Sequence, residues 1–282
     1  MKILLVGAHG QLATSLGRVF AGHDVTALGH GQLDITDEAC VSETVSALSP
    51  HVVINGAAKR RPDACEEDPE AAFAVNALGP KHLALACART GSVLVQVSTD
   101  TVFDGRKTTP YVEEDPTRPI NAYGRSKLAG ESFVRELAPK HFIVRTSALF
   151  GEGSASGPAT NFVLLVLRQA REGKEVRVVT DQVVSPTYTR DAAEKIAWIV
   201  EAARPGTYHV ANAGSCSWYE FARAIFDKAG VKAKLVPVTT AELKPKAARL
   251  PYAALANGAL RRLGADDMRP WQAAVEEYLR IL

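Results

Sequence analysis

Tyr123 and Lys127 stand one helical turn apart in Tyr123-Gly124-Arg125-Ser126-Lys127. On a helix that spacing puts a phenol and an ammonium on one face. A carbonyl under reduction needs a proton donor beside it. A tyrosine hydroxyl ordinarily ionises near pH 10, and a neighbouring ammonium is expected to pull that value toward working pH. The lysine could also hold a nicotinamide ribose. A third group is expected at the strand end Val97-Ser98-Thr99-Asp100. Thr99 would bond the substrate carbonyl and Asp100 would contact a sugar. The same residues could also be no more than a polar strand end. Alone, a tyrosine–lysine pair at this spacing is a common surface accident, and its meaning comes from what precedes it.

What precedes it is a glycine turn. Gly7-Ala8-His9-Gly10-Gln11-Leu12-Ala13 follows an apolar run and opens a helical pattern. Glycine lets the backbone turn tightly, and its missing side chain lets a pyrophosphate reach the helix N-terminus. Ala13 stands where a third glycine is usual, which adds one methyl group between helix and strand. A plain glycine-rich turn is the alternative, and the strand-before, helix-after context favours a dinucleotide. A carboxylate closing the second strand would chelate the adenine ribose. Gly29-His30-Gly31 offers no acid there, and no arginine to clasp a 2′-phosphate. The cofactor is therefore NADPH or NADH, with a lean toward NADPH. Asp34-Ile35 would meet the adenine, or Asp34 would cap the next helix. Asn55-Gly56-Ala57-Ala58 ends the third strand with small residues that leave room for a cofactor ribose, or allow close helix packing.

These residues need a scaffold, and the hydrophobic pattern supplies one. Strands are expected at Ile3–Val6, Val25–Leu28, His51–Ala58, Val93–Val97 and Phe142–Arg145. Helices are expected to about Ala21, through Val41, Val45 and Leu48, from about Pro69 to Ala88, and from about Ala122 to Leu137. Continuous apolar strands alternating with amphipathic helices indicate α/β architecture, a doubly wound parallel Rossmann-type sheet. Gly151 to Pro158 reads as a flexible loop. Beyond it come a helix (about 161–172), a strand (175–180), a helix (190–203) and a final helix from about Trp271. The expected division is a dinucleotide-binding core of residues 1–150 plus about 175–206. A smaller interleaved C-terminal substrate lobe would hold about 151–174 and 207–282.

The bulk composition excludes other classes. A formal charge of +2 calls for no nucleic-acid or membrane partner. The four cysteines are scattered without metal-like spacing, so neither zinc nor a disulfide framework is expected. The N-terminal apolar run ends at Gly7 and is too short for a secretory segment, and Phe162 to Leu167 is too short to span a bilayer. A cytoplasmic protein is expected.

In the order and content of its motifs the chain resembles the extended short-chain dehydrogenase/reductases, and among them the dTDP-4-dehydrorhamnose reductases. The matching runs are Gly7 to Leu12, Leu33-Asp34-Ile35-Thr36-Asp37, Asn55 to Ala58, Ser98-Thr99-Asp100, Val102-Phe103-Asp104-Gly105, Asn121 to Lys127 and Val144-Arg145-Thr146-Ser147. Asn161-Phe162, Asp181-Gln182 and Arg269-Pro270-Trp271 also match. The resemblance implies hydride transfer from NADPH or NADH to C4 of a nucleotide-linked 6-deoxy-4-keto sugar, in dTDP-rhamnose or related deoxysugar biosynthesis. It gives Tyr123, Lys127 and Thr99 the catalytic roles and Thr99 and Asp100 the sugar. It gives the cofactor Gly7, Gly10, Gln11, Leu12, Asp34, Ile35, Ala57, Ala58, Lys59, Tyr123 and Lys127. The resemblance also brings departures. Thr101 and Ala148 stand where members commonly carry tyrosine and tryptophan. Ala13-Thr14-Ser15 replaces a turn whose glutamate holds magnesium at a dimer contact in some members, so no metal is expected. The protein would be a monomer or homodimer. Lys59-Arg60-Arg61-Pro62-Asp63 resembles a loop of the non-catalytic regulatory β subunit of methionine adenosyltransferase; its arginines could instead meet substrate phosphates, or simply be solvated. A nucleotide-sugar epimerase or dehydratase on the same scaffold is the remaining alternative.

Overall fold

A computed structural model of the protein describes residues 1–153 and 161–282. Ser154 to Pro158 of the loop expected from composition lie outside the described residues. The first half runs β1 (Lys2–Val6), α1 (Gln11–Val19), β2 (Asp24–Leu28), α2 (Glu38–Leu48), β3 (Val52–Asn55), α3 (Pro62–Glu67), α4 (Pro69–Phe73), α5 (Gly79–Thr90), β4 (Val93–Thr99), α6 (Ala122–Leu137) and β5 (His141–Thr146). The second runs β6 (Leu149–Phe150), α7 (Phe162–Arg171), β7 (Val176–Val179), β8 (Val183–Val184), β9 (Thr187–Tyr188), α8 (Thr189–Ala202), β10 (Gly206–His209), β11 (Cys216–Ser217), α9 (Trp218–Ala229), β12 (Leu235–Val238), α10 (Thr240–Leu243), α11 (Gly258–Arg262) and α12 (Trp271–Arg280).

Six strands form one parallel sheet in the order β10-β5-β4-β3-β1-β2. Alternate residues of β1 show why it must be covered on both sides. Ile3 and Leu5 pack with Leu12 and Leu16 of α1 and Ile196 and Ile199 of α8. Leu4 and Val6 pack with Val41 and Val45 of α2 and Leu83 of α5. Strand order reverses at β1, so a crevice opens above the carboxyl ends of β1 and β3, where such sheets bind ligands. A separate core gathers Phe150, Val166, Phe221, Trp271 and Tyr278 from α7, α9, α12 and β6. Among the described residues no helix is long and apolar enough to cross a membrane.

Four details depart from the sequence-based expectations. β3 stops at Asn55, and Gly56 leaves the sheet with its N–H on the Val6 carbonyl. The helix expected from Pro69 to Ala88 is broken into α4, a π-helical turn at Ala74–Leu78, and α5. Pro80 has no N–H for the carbonyl four residues earlier, and the Gly79 N–H reaches back to the Ala74 carbonyl instead. The segment from Thr207, expected in the lobe, begins inside β10, which edges the main sheet against β5. Val176–Val179, expected with the core, pairs with Leu235–Val238 of the lobe instead.

β10 ends in a buried histidine that titrates usefully. His209 Nδ1 lies 3.1 Å from the carbonyls of Tyr111 and Ala256, so that nitrogen carries the proton. Burial first, and the Arg145 guanidinium second, push its pKa from 6.5 to about 4. The unfolded chain therefore binds this proton more readily than the native one. Stability from a neutral His209 is fully present above pH 6.5 and is lost as pH falls through about 4, an effect of about 3 kcal/mol. Denaturation midpoints followed from pH 7.5 to 4.5 should show this slope, and His209→Gln should flatten it.

Candidate active site

The first turn of the chain is shaped for a close approach. Gly7 has φ of +86°, and a Cβ there would lie 2.8 Å from the Ala57 nitrogen. Any side chain would thus be strained by conformation and blocked by β3's continuation. Gly10 is the N-cap of α1 and supplies no side-chain acceptor, and the first turn of α1 carries no acid. The first turn of α1 therefore brings the helix N-terminus and its positive dipole end to the crevice without a carboxylate beside it.

On the opposite wall, α6 comes unusually near the end of β4. A side chain at Gly124 would strike the Thr101 carbonyl, and one at Gly130 the Asn76 carbonyl. Asn121 caps this helix, its side chain accepting from the Gly124 N–H at 2.8 Å. Asn76, fully buried in the π-turn, donates to Ser126 Oγ and to the Lys59 carbonyl and accepts from the Lys59 N–H. These contacts fix the helical turn that carries Tyr123 and Lys127.

Between the two walls lies a cavity of about 270 Å³. Gly7, Gly10, Gln11, Leu12, Ala58, Thr99, Tyr123 and Lys127 line it, together with Gly56, Arg60, Ser98, Thr146 and Ala148. Tyr123 and Thr99 line the same cavity, and Lys127 Nζ donates to the Val97 carbonyl at 2.7 Å. Lys127 is buried, which brings its pKa down to about 8 against the opposing pull of Glu131. Tyr123 departs from expectation. Burial first, and the Asp100 carboxyl second, push its pKa up, while Thr99 and Arg60 oppose the rise. Burial and Asp100 outweigh the groups that oppose them. Tyr123 is held as a neutral phenol, which is the form that donates a proton.

Five residues singled out from the sequence lie away from the cavity lining. Asp34 accepts from the Thr36 N–H and hydroxyl, which lower its pKa. It closes a turn, and Asp37 caps α2 in its place. Ile35 is buried against Gly79. The Ala57 N–H is turned to the Asn55 side chain. Lys59 sends its ammonium to Asp68 at 2.9 Å. Asp100, expected on the sugar, is buried behind Thr99, with its carboxyl surrounded by the hydroxyls of Thr99, Thr101 and Ser147. Burial raises its pKa and these hydroxyls oppose the rise. Sequence reasoning gave no role to Ser98 or Thr146; both sit at carboxyl ends of adjacent apolar strands, which was the available signal.

The family profile described as the RmlD substrate binding domain matches residues 1–282. The chain belongs to that family. A relative from Bacillus subtilis, spore coat polysaccharide biosynthesis protein SpsK, is 40% identical over 99% of this chain and 97% of its own. The dTDP-4-dehydrorhamnose reductase of Streptomyces griseus is 41% identical over 97% of this chain and 91% of its own. The crystal structure of the Bacillus anthracis dTDP-4-dehydrorhamnose reductase, in complex with NADP, superposes with a TM-score of 0.95 at 38% identity, covering 100% of this chain and 99% of that one. Ala148 lines the cavity and adopts φ of +43°, a left-handed conformation unfavourable for alanine and tolerated where surrounding structure enforces it.

Proposed function

We propose that the protein is an NADPH-dependent reductase of the C4 keto group of a dTDP-linked 6-deoxy-4-keto sugar, working in dTDP-rhamnose or related deoxysugar biosynthesis. The observation that carries this reading is the convergence of Thr99, Tyr123 and Lys127 on the cavity bounded by the glycine turn. The fit to a dinucleotide rests on the backbone of this chain: Gly7 leaves no Cβ in the way, and α1 begins at a glycine with no acid in its first turn. A bound nicotinamide cofactor supplies the hydride. Tyr123 holds the proton that the developing C4 alkoxide takes. Thr99 and Tyr123 together polarise the carbonyl, and Lys127 steadies the ribose side of the cleft. Arg60, on the cavity rim, suits an anionic or hydroxyl-rich part of the substrate. Gly29-His30-Gly31, with no acid after β2, and the NADP held by the Bacillus anthracis relative support NADPH over NADH.

The presence of a neutral phenol with its partners favours turnover over a binding-only role. Purified protein mixed with NADPH and a panel of dTDP-, UDP- and GDP-linked 4-keto sugars should lose absorbance at the reduced nicotinamide band with a dTDP sugar. No oxidation across the panel would refute the reading. Lys127 adds a pH test. Its ammonium is present below about 8 and lost above, so NADPH affinity should weaken about tenfold between pH 7 and 9.5, the worth of one charged hydrogen bond. Fluorescence titration reads the affinity, and Lys127→Met should bind weakly with no such slope.

A further inference from the structure

Among the described residues that line the cavity, Arg60 and Lys127 carry charge and no aspartate or glutamate does. Lys127 is buried and gives its ammonium to the Val97 carbonyl at 2.7 Å. Arg60 is exposed, and among the described residues its guanidinium has no hydrogen bond or ion pair. The carboxylates that follow it in sequence are engaged elsewhere. Asp63 accepts from Arg249 at 2.7 Å and from the Ala247 N–H at 2.8 Å. Glu66 accepts from the Ala122 N–H at 2.8 Å, and Asp68 pairs with Lys59 at 2.9 Å. The cleft thus holds an uncompensated positive charge at its rim.

The backbone carrying that charge is fixed on both sides. The Lys59 N–H and carbonyl both bond the Asn76 side chain at 2.9 Å, and the Arg61 carbonyl accepts from the Cys65 N–H at 2.9 Å. Asn76 also donates to Ser126 of α6, and Glu66 holds the first N–H of that helix. The loop is therefore anchored to the wall that bears Tyr123, across the cleft from the N-terminus of α1. A guanidinium meets phosphate oxygens two at a time. On the reductase reading two diphosphates enter this cleft, the cofactor's and the substrate's. The cofactor's has the glycine turn and the positive end of α1. We propose that Arg60 takes the other, the diphosphate of the nucleotide-linked sugar, and so holds the sugar on the Tyr123 side of the cleft.

The proposal rests on the reductase reading above, and dTDP, which carries the diphosphate but no keto group, tests it without turnover. The probe is titrated calorimetrically into protein saturated with NADP. Arg60→Met should weaken dTDP binding by about tenfold or more, the worth of a charged hydrogen-bonding partner. NADPH affinity of the same variant, read by fluorescence, should stay within about twofold. An exposed side chain without partners is not needed for folding, so the variant should keep the parent's denaturation midpoint. Arg61→Met is the control for net charge: Arg61 is exposed and does not line the cavity, and its loss should move dTDP affinity by less than about twofold. A parent that does not bind dTDP, unchanged dTDP binding in Arg60→Met, equal losses in the two variants, or an NADPH loss as large as the dTDP loss would each overturn the proposal. The last of these would assign the arginine to the cofactor's diphosphate. The reductase reading is judged apart, by turnover of the 4-keto sugar panel. No turnover, with dTDP binding still dependent on Arg60, would refute that reading and keep Arg60 as a nucleoside diphosphate site.

Discussion

Tyr123→Phe is expected to lower kcat by about a hundredfold or more while leaving NADPH affinity within about twofold of the parent. The range follows from what a positioned general acid contributes. The variant removes one oxygen from a residue that lines the cavity and keeps the ring that packs against Ala122, Cys65 and Ala72. Because Tyr123 is held as a neutral phenol by burial and by Asp100, the proposed donor keeps its proton across the working pH range. Its loss should therefore lower the whole pH profile instead of displacing it. Steady-state kinetics with cofactor fluorescence as the binding control reads both quantities.

The largest effect on stability is expected at Glu131, one helical turn beyond Lys127. Its carboxylate is fully buried and takes a two-pronged bond from Arg145, at 2.9 and 2.7 Å, plus one from Arg135 at 2.6 Å. Burial alone would raise its pKa, but these guanidinium groups hold it below the usual carboxylate range. Glu131→Leu would leave the Arg145 guanidinium buried between Phe103 and His209 with no counter-charge. Removing one partner of such a pair costs about 3–5 kcal/mol, and chemical denaturation should show a loss of that size. The double variant Glu131→Leu/Arg145→Met should recover much of it, since the isolated charge is then gone. Lys127 would feel the single change as well, because Glu131 is the charge that supports its protonated form.

Features carried within a short stretch of chain were readable from the sequence, and those made by distant segments were not. The glycine turn and the tyrosine–lysine pair depend on one loop and one helix. Their residue types declare the backbone conformation and the shared face. The environment of Asp100 depends on Ser147, 47 residues away and just past the end of β5, and no local pattern announces that the two meet. Lys59 looked available for a cofactor until the fold set Asp68 beside it. β10 is four residues of mixed polarity, and only pairing with β5 makes it a strand. The π-turn was hidden because Ala74 to Leu78 has helical spacing. Pro80 was the one local sign that the ladder must widen there. Lys127 was expected to lower the Tyr123 pKa, an inference from proximity alone; burial and Asp100 outweigh it once the site is enclosed.

The central claim is that this cleft passes a hydride one way, from reduced nicotinamide to sugar C4, with Tyr123 supplying the proton. The most direct measurement supplies NADPH bearing deuterium on the transferred position and follows the label in the dTDP sugar by nuclear magnetic resonance. One deuterium fixed at C4 for each cofactor oxidised is the predicted result. Label returned to the cofactor, or a converted sugar with no net oxidation of NADPH, would contradict it.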